Sequence, residues 1–173
     1  IGGAMESGWS VNPHWVADLS IIKDHDIGNG VPEKVICLDE WYYNMRFVED
    51  REKVLDLFTA VPTRKNMHRY INMWNKNGVE GLEKQQTLMW GYERPEGGRG
   101  VGFVGGHYHH SWAVDGLRKA VLNAIVWTAG MKVPEEGVLS KSPTEEELNV
   151  NLDKKGRVKR IKIPDPAAWK KLP

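Results

Sequence analysis

The sequence predicts an α/β fold, and three observations predict it. Short apolar runs at residues 35–38, 54–61, 87–92 and 100–104 have strand length and end at turn residues. A glycine-rich loop, Gly105-Gly106-His107-Tyr108-His109-His110-Ser111-Trp112, follows the last of them. Behind it, Leu117, Val121, Ala124, Ile125 and Thr128 recur at helical spacing, and Gly130 is a natural stop. Strand, glycine-rich loop and helix in succession are the unit that places ligands at the carboxyl ends of strands in α/β folds.

The elements follow in order. Residues 1–34 are rich in Gly, Pro and Asn and show little periodicity, which predicts a loop with short elements. Residues 35–38 predict a buried strand, and residues 39–47, with aromatics and polar groups mixed, an edge strand or extended segment. The run 54–61 is a second strand, closed by Pro62. Residues 63–86 carry Asn, Lys, Arg and Gln and predict a long surface insertion. Residues 87–92 and 100–104 form a hairpin over the turn at 94–99. From Pro134 the composition shifts, dividing the chain into a main unit, 1–133, and a tail, 134–173. In that tail Ser142-Pro143-Thr144-Glu145-Glu146-Glu147 predicts a capped short helix, and residues 154–163 hold six basic side chains and no acidic one. The basic run lacks interleaved aromatics, which predicts a solvated tail and not a nucleic-acid surface.

Composition narrows the function classes. Twenty-four basic against 23 acidic residues gives a net charge of +1, which provides no chain-wide signal for nucleic acid or membrane. No apolar run approaches the roughly 20 residues of a membrane span. A single cysteine, Cys37, excludes an internal disulfide framework and a four-cysteine zinc site. It lies in an apolar run without a nearby base, which predicts a buried hydrophobe and not a nucleophile. The eight tryptophans exceed what a generic core needs.

Chemistry concentrates in a few places. In an extended loop His107 and His109 project to one side, so both imidazoles reach one point, as a metal pair or an acid/base with a partner. Asp39-Glu40-Trp41 sets carboxylates beside an indole, a combination suited to sugar hydroxyls and the apolar sugar face; the carboxylate can equally complete a metal site or pair with Arg46. Asn12-Pro13-His14-Trp15 offers His14 for function or Trp15 for the core. Asp24-His25-Asp26 reads as surface.

Several of these segments together resemble the ThuA-like family, named for trehalose utilisation. They are Ile1-Gly2-Gly3-Ala4-Met5-Glu6, residues 9–15 and 24–26, Asp39-Glu40-Trp41-Tyr42-Tyr43-Asn44-Met45-Arg46, residues 92–100, residues 105–112 and the helix through Gly130. The resemblance spans roughly residues 1–138. It implies a flavodoxin-like three-layer sandwich similar to class I glutamine amidotransferases. It also implies that the first strands precede Ile1, so that the chain is the C-terminal part of a domain, completed by preceding residues or by another polypeptide. His107 matches the amidotransferase histidine, whereas His109 stands where the glutamate would be, which speaks against amidotransferase chemistry.

The resemblance implies a protein acting on a carbohydrate or oxidised sugar derivative by acid/base chemistry, as an isomerase, lyase or hydrolase without a cysteine nucleophile. His107 is the expected acid/base, His109 its partner and Glu40 a further carboxylate. Trp41, His14, Tyr108 and Arg46 are the expected substrate contacts. A divalent metal such as zinc on His107 and His109 is the expected cofactor. The competing expectation is a non-catalytic carbohydrate-binding or assembly module on a degenerate amidotransferase-like scaffold. A homo-oligomer is compatible with either, and localisation is open.

Overall fold

Period-two alternation organises the longer strands into an antiparallel sheet. The computed structural model describes residues 1–69, 75–153 and 160–169. Its strands are β1 (Gly3–Ala4), β2 (His14–Ile21), β3 (Lys34–Glu40), β4 (Arg46–Phe47), β5 (Val54–Ala60), β6 (Met67–Arg69), β7 (Gln86–Glu93) and β8 (Arg99–Phe103). The helices are α1 (Lys76–Glu80), α2 (Asp115–Thr128), α3 (Glu145–Leu148) and α4 (Pro166–Trp169). The main sheet runs β3-β2-β5-β7-β8, with β6 also beside β2, while β1 and β4 pair separately. The fold is therefore mixed α/β, and every described ladder is antiparallel.

The longest uninterrupted register joins β2 to β3, from His14 opposite Glu40 to Ser20 opposite Lys34. Trp15, Ala17 and Leu19 alternate with exposed Asp18 and Ser20, and Val35, Cys37 and Asp39 are the buried positions of β3. Thus β2 is a core strand where the glycine- and proline-rich surroundings predict loop. The predicted strands at 35–38, 54–61, 87–92 and 100–104 correspond to β3, β5, β7 and β8. Residues 63–86 are not simply a surface insertion: they hold β6, α1 and the buried Gly78 and Leu82. Residues 70–74 of that segment lie outside the described residues.

Helix α2 packs on the turn at Asp26–Gly28 and on β8; Leu117 and Ala124 face inward as predicted, but the rest of its inward stripe differs from the predicted one. Gly116, Leu117, Ala120, Asn123, Ala124 and Trp127 are buried, whereas Ile125 is 59% exposed. Close approach decides the side: a Cβ at Gly116 would stand 2.5 Å from Val35 Cγ2, so only glycine lets the helix sit so near the sheet. The predicted stripe also took in Val121, Ile125 and Thr128, while small residues, Gly116 and Ala120, make the contact.

Two indoles at the centre are satisfied as well as buried. Trp15 Nε1 donates to the Trp41 carbonyl at 2.9 Å, and Trp41 Nε1 to the Cys37 carbonyl at 3.0 Å. The tail joins this core through Trp169, and Leu148 of the tail is buried as well. Helix α3 begins with a capping box between Thr144 and Glu147, as its sequence predicts. Of the basic run, residues 154–159 lie outside the described residues.

Candidate functional site

Consecutive strand residues point to opposite faces, and the end of β3 uses both. Asp39 turns inward and is completely buried. Its Oδ1 accepts the backbone N–H groups of Glu40 at 2.7 Å, His107 at 3.0 Å and Tyr108 at 3.3 Å. Its Oδ2 accepts the Gly106 N–H at 2.8 Å and the Ser111 hydroxyl at 2.7 Å. Five donors on one carboxylate fix residues 106–108 against the strand end. Gly106 has a φ of +90° there, a conformation that β-carbon-bearing residues resist.

Glu40 turns to the other face, with its side chain 12% exposed. The anchored loop brings His107 to it, Nδ1 standing 2.8 Å from Glu40 Oε2. The β2–β3 register brings His14 opposite Glu40, with Nε2 4.0 Å from Oε1, and Asn12 Nδ2 donates to the same oxygen at 2.7 Å. Tyr108 joins through its hydroxyl, 2.5 Å from His14 Nδ1. The His14 and His107 rings meet edge to face at 5.4 Å. Four residues singled out from the sequence, His14, Glu40, His107 and Tyr108, therefore converge. His107 is half exposed while its carboxylate is shielded. The contact to Glu40 calls for a proton on Nδ1, which makes Nε2 the nitrogen able to take one from a ligand.

Glu40 and His107 stand in the wall of a cleft of about 430 Å³, which Tyr42, Met45, Trp90 and Phe103 also line. A second cleft, about 550 Å³, also has His107 in its wall, together with His109, His110, Asp153 and Lys162.

The other expected residues are placed as follows. Trp41 is fully buried, its ring edge to face with Phe103 5.9 Å away, so it has no open face for a sugar. Arg46 pairs with Glu6 and lies 3.6 Å over the Trp9 ring, and none of its described contacts is to the His107 cluster. His109 stands with His107 in the wall of the second cleft; residues His109–Ala113 coil as a 3₁₀ turn, which ends the extended alternation, and His109 Nδ1 lies 3.0 Å from the Leu148 carbonyl. Among the described residues no group of three His, Cys, Asp or Glu side chains is arranged to hold a metal ion. His25 is not simply a surface residue: it accepts the Ile27 N–H and packs edge-on against Trp127, and burial lowers its pKa. His110 stacks on Tyr108 at 5.0 Å and is likewise lowered by burial, against the opposing effect of the Leu38 carbonyl. Cys37 fits its expected role: it is buried, and desolvation pushes its thiol up to about 12.

Sequence reasoning did not find Asn12, the anchoring role of Asp39, or the cleft residues Tyr42, Met45, Trp90 and Phe103. Asp39 carried a signal: a carboxylate at an inward position of an otherwise apolar alternation. Among the described residues no helix is long and apolar enough to cross a membrane. No protein-family model matches the chain, and no curated protein or solved structure matches it significantly.

Proposed function

We propose that this is a ThuA-like protein that acts on a carbohydrate or an oxidised sugar derivative by acid/base chemistry at His107. The observation that supports the reading is the 2.8 Å contact between His107 Nδ1 and Glu40 at the wall of a cleft. A carboxylate on Nδ1 orients the ring, holds the tautomer and stabilises the imidazolium that forms when Nε2 takes a proton. Glu40 thus takes the partner role first assigned to His109. His14 and Tyr108 flank the pair and contribute polar contacts to hydroxyl groups. Proton abstraction beside a carbonyl, or protonation of a leaving oxygen, both fit one such base, and isomerisation, elimination or hydrolysis can follow. The flavodoxin-like sandwich belongs to the same proposal and rests on the resemblance, since the described ladders are antiparallel.

The test is turnover of a panel of sugars, sugar lactones and keto-sugars, read by NMR with solvent deuterium incorporation, with and without added zinc. His107→Gln and Glu40→Gln should each lower turnover about 100-fold or more while the fold persists. Sugar binding with no turnover on any panel member would instead assign the chain to the non-catalytic class.

A further inference from the structure

We propose that Asp39 is the positioning residue of this site. It acts on His107 through the backbone, and it sets both where the imidazole stands and which of its nitrogens carries the proton. The inference rests on the reading of His107 and Glu40 as the working pair. Asp39 takes five donors within 3.3 Å and is completely buried, so it touches no ligand in either cleft. Three of its donors are successive amides, those of Gly106, His107 and Tyr108. Three N–H groups converge on one carboxylate only if the loop is bent as it is here, and Gly106 at φ +90° supplies the bend. The same bend delivers His107 Nδ1 to Glu40, the next residue of the strand.

The strand therefore holds the loop with residue 39 and meets the loop's side chain with residue 40. The two carboxylates serve different ends because β3 alternates. Ser111 closes the arrangement from the start of the helical segment, so the loop is held at both ends by one side chain. A purely stabilising role would tie the loop down without reference to its histidine. Here the His107 amide is itself one of the donors.

Asp39→Asn tests this. The amide retains one acceptor oxygen for Glu40, His107 and Tyr108 but offers NH₂ where Gly106 and Ser111 donate. The readout is the His107 tautomer, from long-range ¹H–¹⁵N NMR, together with exchange of the Gly106 amide and thermal unfolding. Wild type should hold His107 with the proton on Nδ1. In folded Asp39→Asn the ratio of Nδ1–H to Nε2–H should fall about tenfold, the size of one lost hydrogen bond to a charged group, and the Gly106 amide should exchange faster. A folded Asp39→Asn with the wild-type ratio overturns the proposal. Where Asp39→Asn does not fold, Ser111→Ala removes one donor and no ladder bond. It should move the ratio in the same direction by less, and a wild-type ratio in folded Ser111→Ala overturns the proposal equally. Because the readout is a tautomer and not turnover, it can fail while His107 proves catalytic. It can also hold in a protein that only binds.

Discussion

Replacing Asn123 should be among the most damaging single changes in the molecule, although it lies in neither cleft wall. The side chain is completely buried on α2. Its Nδ2 donates to the carbonyls of Ile27 and Asn29, both at 2.9 Å, and its Oδ1 accepts the Val138 N–H at 2.8 Å. One amide thus ties the helix to the turn before β3 and to the segment leading into the tail. Asn123→Ala leaves two carbonyls and one N–H in the interior without a partner. At roughly 1–3 kcal/mol for each unsatisfied group, partly relieved by relaxation, the loss should be about 3–5 kcal/mol. That is a large part of the roughly 5–15 kcal/mol that a domain possesses. Asn123→Asp should cost more than alanine, because it sets an oxygen against two carbonyl oxygens. The assay is urea unfolding followed by circular dichroism and tryptophan fluorescence, with amide exchange at Val138 as the local reporter. A loss below about 1 kcal/mol for alanine, or an aspartate variant more stable than alanine, would refute the reasoning, because the freed groups would then be finding other partners.

Three further outcomes are expected. Cys37 should be unreactive towards a disulfide reagent in the folded protein and react only on unfolding, since it is buried and its thiol is pushed up to about 12; reaction in native buffer at the rate of a free thiol would contradict this. Gly102→Ala should cost about 2 kcal/mol or more and shift tryptophan emission, because its Cβ would stand 2.0 Å from Trp90 Cζ2; an unchanged melting curve would show that Trp90 moves aside freely. Stability should also fall with acidity. Burial holds His25 and His110 below the ordinary histidine value, so near and below that value the unfolded chain binds protons that the folded chain does not. Their contribution is complete above about pH 6.5 and declines as the pH falls through that value towards the lowered one. Urea midpoints measured across this window should therefore drop, and His110→Gln should flatten part of the slope.

Much of the sheet was legible because β3, β5, β7 and β8 carry short apolar runs, two of them closed by Pro62 and Gly105. Helix α3 was legible because Thr144 and Glu147 sit at capping-box spacing. Strand β2 was hidden by its neighbours: Trp15, Ala17 and Leu19 alternate with Asp18 and Ser20, but buried Val16 interrupts the pattern and the composition of residues 1–34 suggested loop. The inward face of α2 was misjudged in part, because large side chains dominate a periodicity count, whereas Gly116 and Ala120 make the close contact. In the site, His107 and Glu40 stood out by residue type. That His14 faces Glu40 depends on the β2–β3 register, which cannot be read without β2. Trp41 was misassigned because nothing local distinguishes an indole under a sugar from one in a core. That His109 Nδ1 meets the Leu148 carbonyl depends on where the tail packs, which no local pattern gives.

The end of β3 bears on how this site can change over generations. Asp39 and Glu40 differ by one methylene and one position, and each is useful only on its own side of the sheet. A single-residue insertion or deletion within β3 would exchange the sides and disable anchor and partner in one event. Lineages altering this chemistry should therefore do so by replacing side chains at positions such as 12, 14, 42 and 45 while keeping the length of β3 constant, and gaps in an alignment of relatives should avoid residues 34–40.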